Sequence, residues 1–170
     1  KQVFPKWTNF ASRFSVSALI VGALFIPVIL GAIAQTSYAT GKNLYVEQPV
    51  QFSHKHHVQA LGLDCRFCHS SVESSASAGI PDTWTCMGCH SQIWTQAEIL
   101  RPVRESLAQN RPLRWRRVHN LPDHVYFNHR AHVQKGVTCV SCHGDVAQMA
   151  SLFQAKSFRM KDCVACHEDP

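Results

Sequence analysis

Outside a single N-terminal stretch, this chain of 170 residues has no long hydrophobic run. It shows no sustained alternation of apolar and polar residues, which excludes a sandwich or barrel of half-buried strands. No cysteine stands outside four short repeats, so none is left for a disulfide framework or a thiol nucleophile. No acidic residue falls within residues 1–13, where Lys1, Lys6 and Arg13 stand. The apolar share of 45% is inflated by the N-terminal stretch, so the rest of the chain is short of ordinary core material. The length fits one anchored domain.

What is present is one pattern written four times. It reads Cys65-Arg66-Phe67-Cys68-His69, Cys86-Met87-Gly88-Cys89-His90, Cys139-Val140-Ser141-Cys142-His143 and Cys163-Val164-Ala165-Cys166-His167. C-x-x-C-H is the attachment signature of a c-type haem. The spacing puts both sulfurs on one side of a helical turn, where they form thioethers to the porphyrin vinyl groups. The histidine that follows is then aimed at the iron as proximal ligand. Paired C-x-x-C units also hold zinc, but a zinc ribbon has no reason to place histidine after the second cysteine every time. The expectation is haem c on all four motifs: thioethers from Cys65, Cys68, Cys86, Cys89, Cys139, Cys142, Cys163 and Cys166, and proximal iron ligands His69, His90, His143 and His167. Four large apolar discs would also replace much of the missing core. The formal charge of +6 is by itself a cue for nucleic acid or anionic lipid. Two propionates on each haem would outweigh it, so no nucleic-acid partner is expected.

Phe14 to Ala34 runs 21 residues without a charge. As a helix it spans about 31 Å, close to the thickness of a hydrocarbon core. Ala32-Ile33-Ala34 resembles a signal-peptide cleavage site, but the run is longer than a signal h-region. An uncleaved transmembrane helix is expected, with the basic residues 1–13 cytoplasmic and the haem part on the periplasmic, outer face of a bacterial cytoplasmic membrane. Residues 35–50 read as a linker. An internal repeat follows. Phe52-Ser53-His54-Lys55-His56-His57-Val58 precedes the motif at 65, and Phe127-Asn128-His129-Arg130-Ala131-His132-Val133 precedes the motif at 139. Two dihaem modules are expected, 51–100 and 127–170, joined by a basic linker over 101–126. The fold class is mainly α with little regular secondary structure. Short helices are expected at the motifs and over about 92–109.

Low-spin electron-transfer haems need a second axial ligand. His54 and His57 occupy the same places in the first module as His129 and His132 in the second, and each pair shares a helical face. In each module the first histidine is expected to reach that module's first haem and the second a neighbouring one. His119 and His124 are further candidates, and His56 is spare. Met87, Met149 and Met160 are alternatives that would raise a haem's potential.

The F-x-H-x-x-H…C-x-x-C-H arrangement resembles the class III multihaem cytochromes. With the anchor and the run from Arg117 through His119, Pro122, His124, Phe127 and His129 to His132, the chain resembles the membrane-anchored pentahaem cytochrome subunit of alternative complex III, a quinol:acceptor oxidoreductase. The resemblance implies an electron-transfer subunit with no catalytic site of its own. It implies an iron–sulfur, molybdopterin-oxidoreductase-like partner and polytopic quinol-binding membrane subunits. The acceptor would be a periplasmic carrier (a monohaem cytochrome or cupredoxin) or a terminal oxidase. That subunit carries five haems against four motifs here; a fifth motif would lie beyond Pro170 if the sequence is a fragment. A chain ending there would instead fit a tetrahaem quinol dehydrogenase cytochrome. A catalytic multihaem reductase is the third reading, and the surplus of histidines over haems speaks against it.

Overall fold

A computed structural model describes residues 3–169 and divides the chain into two compact units, Lys1–Gly41 and Lys42–Pro170. The first unit is helix α1, Trp7–Gln35, followed by the short α2, Ser37–Thr40. The helix outruns the uncharged stretch at both ends, because Trp7, Thr8, Asn9 and Gln35 can continue it at little cost. Its apolar side chains are exposed all round, and none is buried within the protein. It is long and apolar enough to cross a membrane. Pro27 lies inside it, as membrane helices tolerate.

The second unit is built from short helices. The motifs lie on α3 (Cys65–Cys68), α4 (Thr83–His90), α7 (Cys139–His143) and α8 (Met160–Glu168). Between them lie α5 (Arg101–Ala108) and α6 (His129–Gln134). Among the described residues no strand forms. Two isolated bridges, Lys42 to Gln154 and Tyr45 to Phe153, tie the start of this unit to the segment before α8.

Local chemistry starts these helices. Asp64 accepts from the Arg66 N–H at 2.8 Å directly ahead of the first motif. Asp82 accepts from the Thr85 N–H at 2.9 Å one turn ahead of the second. Asn128 caps α6, accepting from Ala131 at 3.4 Å. At α8 the Asp162 carboxylate reaches back to the Arg159 N–H at 2.9 Å and takes the Ser157 hydroxyl at 2.8 Å. Each cap satisfies an N–H that the helix itself leaves without a partner.

The helix expected over 92–109 is shorter than that. Residues 92–97 form turns, a single 3₁₀ turn occupies Glu98–Leu100, and α5 begins at Arg101. Pro102 is the reason. It has no N–H to donate, so it is tolerated only in a helix's first turn. The segment expected as a basic linker therefore opens with a packed helix. Val103 of α5 is 2% exposed and clusters with Val50 and Leu100 against Cys86, Met87, Leu113 and Trp115. Thr83 and Ser106 join α4 to α5 through a 2.7 Å hydroxyl contact, and Ser106 donates to the Arg111 carbonyl. This small cluster is the main apolar core of the unit, and it positions the helix that carries His90.

Candidate haem sites

Each of the eight cysteines is exposed or half-buried on its short helix. Two of their histidines are oriented by backbone carbonyls. His69 Nδ1 lies 2.7 Å from the Gly79 carbonyl, and His90 Nδ1 lies 3.3 Å from that of Ile93. Three of the four upstream histidines follow suit. His57 Nδ1 lies 2.9 Å from Ser53 O, His129 Nδ1 2.9 Å from Ala76 O, and His132 Nδ1 2.8 Å from Asn128 O. A carbonyl can only accept, so in each pair Nδ1 carries the proton. The Nε2 lone pair is then free, which is how proteins prepare an imidazole for a metal.

Ring separations test whether iron fits. Two metal–imidazole bonds of about 2 Å, plus about 1 Å from each nitrogen to its ring centre, set opposed ring centres roughly 6 Å apart. His57 and His90 are 6.2 Å apart with a 71° tilt, and His132 and His167 are 6.0 Å apart with a 72° tilt. His129 and His143 are 6.3 Å apart and nearly parallel. All three pairs have the separation that an iron between them requires. Among the described residues no three or more His, Cys, Asp or Glu side chains converge as a metal cage would need.

Burial acts on the same groups. His54 is lowered to about 4, first by burial and then by the neighbouring His69 and His57. His143 is lowered to about 4 by burial, then by His119, His129 and His69. Both are thus held neutral, the form that binds a metal. The Nδ1 of His54 is buried without a hydrogen-bond partner.

The remaining candidates lie differently. His119 has a buried, unpartnered Nε2, and burial lowers its pKa. Its ring stands edge-on to His143 at 4.4 Å, too close for an iron between the two. His124 is exposed in the segment before α6. His56 stacks on Trp94 at 5.6 Å.

Sequence reasoning gave Phe52 and Phe127 no role beyond marking the repeat. Phe52 meets His54 edge-on at 4.9 Å and stacks on His57 at 4.3 Å. Phe127 meets His129 edge-on at 4.8 Å and stacks on His132 at 4.5 Å. One phenylalanine thus fixes two imidazoles, in the same way in both copies. The recurrence of phenylalanine at that place was the available signal. Gly79 and Ala76 were also missed, because they act through backbone carbonyls that any residue possesses.

A family model described as cytochrome c7 and related cytochrome c matches residues 125–170. The chain is 32% identical over 142 residues to the multihaem cytochrome c subunit of a menaquinone reductase from Nitratidesulfovibrio vulgaris, covering 71% of this chain and 68% of that subunit. The chain belongs to the multihaem c-type cytochromes. The cofactor of this cytochrome is accordingly haem c, and its mainly helical fold with one N-terminal apolar helix is the one its sequence implies. The stretch matched by the family model contains the whole second F-x-H-x-x-H unit and the last two attachment motifs of the cytochrome.

Proposed function

We propose that this cytochrome is the electron-transfer subunit of a membrane quinone-linked oxidoreductase, holding four haems c, each between two histidines. The observation that carries the reading is the His57–His90 pair and its repeat, His132–His167, with matching separation and tilt. The assignment continues with His129 opposite His143. The repeat then pairs His54 with His69. His119 and His124 stay outside these four pairs. When bound, haem c supplies a one-electron carrier whose potential its axial ligands tune. With a histidine on each face of every iron, no position is open to substrate. That favours relay over the catalytic reductase.

The sequence resemblance to alternative complex III and the relative's description both point to a quinone-linked complex, with opposite directions of flow. We take quinol oxidation by polytopic membrane subunits. Electrons then pass through an iron–sulfur subunit to this cytochrome and on to a periplasmic carrier or oxidase. Helix α1 is the anchor, with the haem unit on the outer face. A second reading, delivery of electrons toward menaquinone, is favoured by the relative.

A pyridine haemochrome assay and electron paramagnetic resonance of the matured chain test the proposal. Four haems with wholly low-spin, bis-histidine signals are expected. A substantial high-spin ferric signal, or two haems or fewer, would overturn it. In membranes carrying the partner subunits, reduction of the haems by added quinol supports the first direction. Reduction only through a soluble donor supports the second.

A further inference from the structure

The order of the motifs along the chain suggests a wire running from the first site to the fourth. The contacts within the haem unit give a different order. We infer that the four haem sites are joined in the sequence His90, His69, His143, His167, so that the two modules meet head to head through their first sites and the wire ends at their second sites. The inference rests on the bis-histidine reading above and adds to it which sites touch.

Within each module one short segment ties two sites together. His54 and His57 flank one turn, with His57 opposed to His90. His129 and His132 lie on α6, opposed to His143 and His167. Residues three apart on a helix have side-chain bases about 5–6 Å apart, so the two sites served by each segment are neighbours.

The join between modules is made by residues 70–79, the serine-rich loop that follows the first motif. Its own hydroxyls hold it: Ser71 donates to the Ser77 carbonyl at 3.0 Å, and Ser77 and Gly79 N–H groups donate to the Ser75 and Ser77 hydroxyls at 3.2 and 3.3 Å. Val72, within the loop, is buried. The second module docks on this loop through its backbone. The His129 N–H donates to Ala76 O at 3.1 Å and the Arg130 N–H to Ser75 O at 3.2 Å. Gln134 Nε2 reaches Glu73 O at 3.3 Å. The Ala76 carbonyl also takes His129 Nδ1–H, and three residues on the Gly79 carbonyl takes His69 Nδ1–H. A single loop therefore orients the proximal histidine of the first site and the distal histidine of the third. Those two sites cannot be far apart.

Electrons arriving at either end must then cross three junctions, and the middle one is the loop-borne contact between the His69 and His143 sites. The partner that donates and the partner that accepts would meet the His90 and His167 ends. The test is two-dimensional nuclear Overhauser spectroscopy of the fully reduced, diamagnetic full chain in detergent. Each haem is assigned by the contacts of its thioether protons with its own cysteines, so no variant is needed. Proton contacts are expected between haems on the 65/68 and 86/89 pairs, the 65/68 and 139/142 pairs, and the 139/142 and 163/166 pairs. A contact between the haems on Cys86/Cys89 and Cys139/Cys142, or none between those on Cys65/Cys68 and Cys139/Cys142, would overturn the order. The number of haem spin systems in the same spectra reads the bis-histidine proposal separately. Fewer than four would sink that reading, whatever the order. As a second measurement, spectroelectrochemistry of Gln134→Ala should alter the mutual redox influence of the two central haems and leave that of the terminal pairs unchanged. Equal change at all junctions would count against the loop as the join.

Discussion

Gly79 shows how much a residue outside the motifs can set. It sits at φ +76°, and a Cβ there would lie 2.6 Å from the Ser71 hydroxyl oxygen, which is itself bonded to Ser77. Its carbonyl fixes His69. A side chain in this conformation costs about 1–2 kcal/mol. Gly79→Ala should therefore lower thermal stability by roughly that amount while the thioethers keep every haem attached. Melting followed at the Soret band checks it, and an unchanged midpoint would mean that the loop relaxes freely. His132 allows a sharper test. His132→Met should leave the haem count unchanged and raise the potential of the haem held by Cys163 and Cys166, because a thioether ligand favours reduced iron. A redox titration showing no potential moved would require another distal ligand opposite His167.

The repeated elements share their function while differing in backbone form. His129–Gln134 is α-helical, while Lys55–Ala60 is a π-helical turn, yet Phe52 and Phe127 hold their histidines alike. Extra backbone per turn of this kind is frequent where side chains are aimed at a site. Helix α5 has a different task, to brace α4. Because Val103 is 2% exposed at that contact, Val103→Ala should cost roughly 1–3 kcal/mol by opening a cavity. Glu105→Ala, on the exposed face, should stay within about 0.5 kcal/mol. Denaturant titration of the two variants checks the contrast, and equal effects would remove α5 from the account of how His90 is placed.

At the scale of the whole molecule, the two units call for different surroundings. The apolar side chains of α1 are exposed along its length, which is costly in water and favourable in lipid. The full chain should stay with membranes after an alkaline carbonate wash. A chain starting at Lys42 should be released in soluble form with its haems attached. Recovery of the full chain in the soluble fraction would refute the anchor. Within Lys42–Pro170 the core is small, and surface pairs such as Arg66 with Asp64 and Glu73 add little, since the side chains are 54–59% exposed. Covalent haem attachment is what this unit has available to make up the difference.

The sequence by itself determined whatever is encoded by local spacing. Attachment motifs, the repeated F-x-H-x-x-H unit and the uncharged helix are all contiguous in the chain, and their chemistry depends on residue type. Pro102 stands in the sequence and marks where α5 must start, although a helix was expected to run across it over about 92–109. Tertiary structure alone decided that His119 crowds His143 and that the second module rests on the loop at 73–77. The contacts with that loop span more than fifty residues and are made by backbone carbonyls of glutamate, serine and alanine, groups that every residue carries and that leave no mark in sequence.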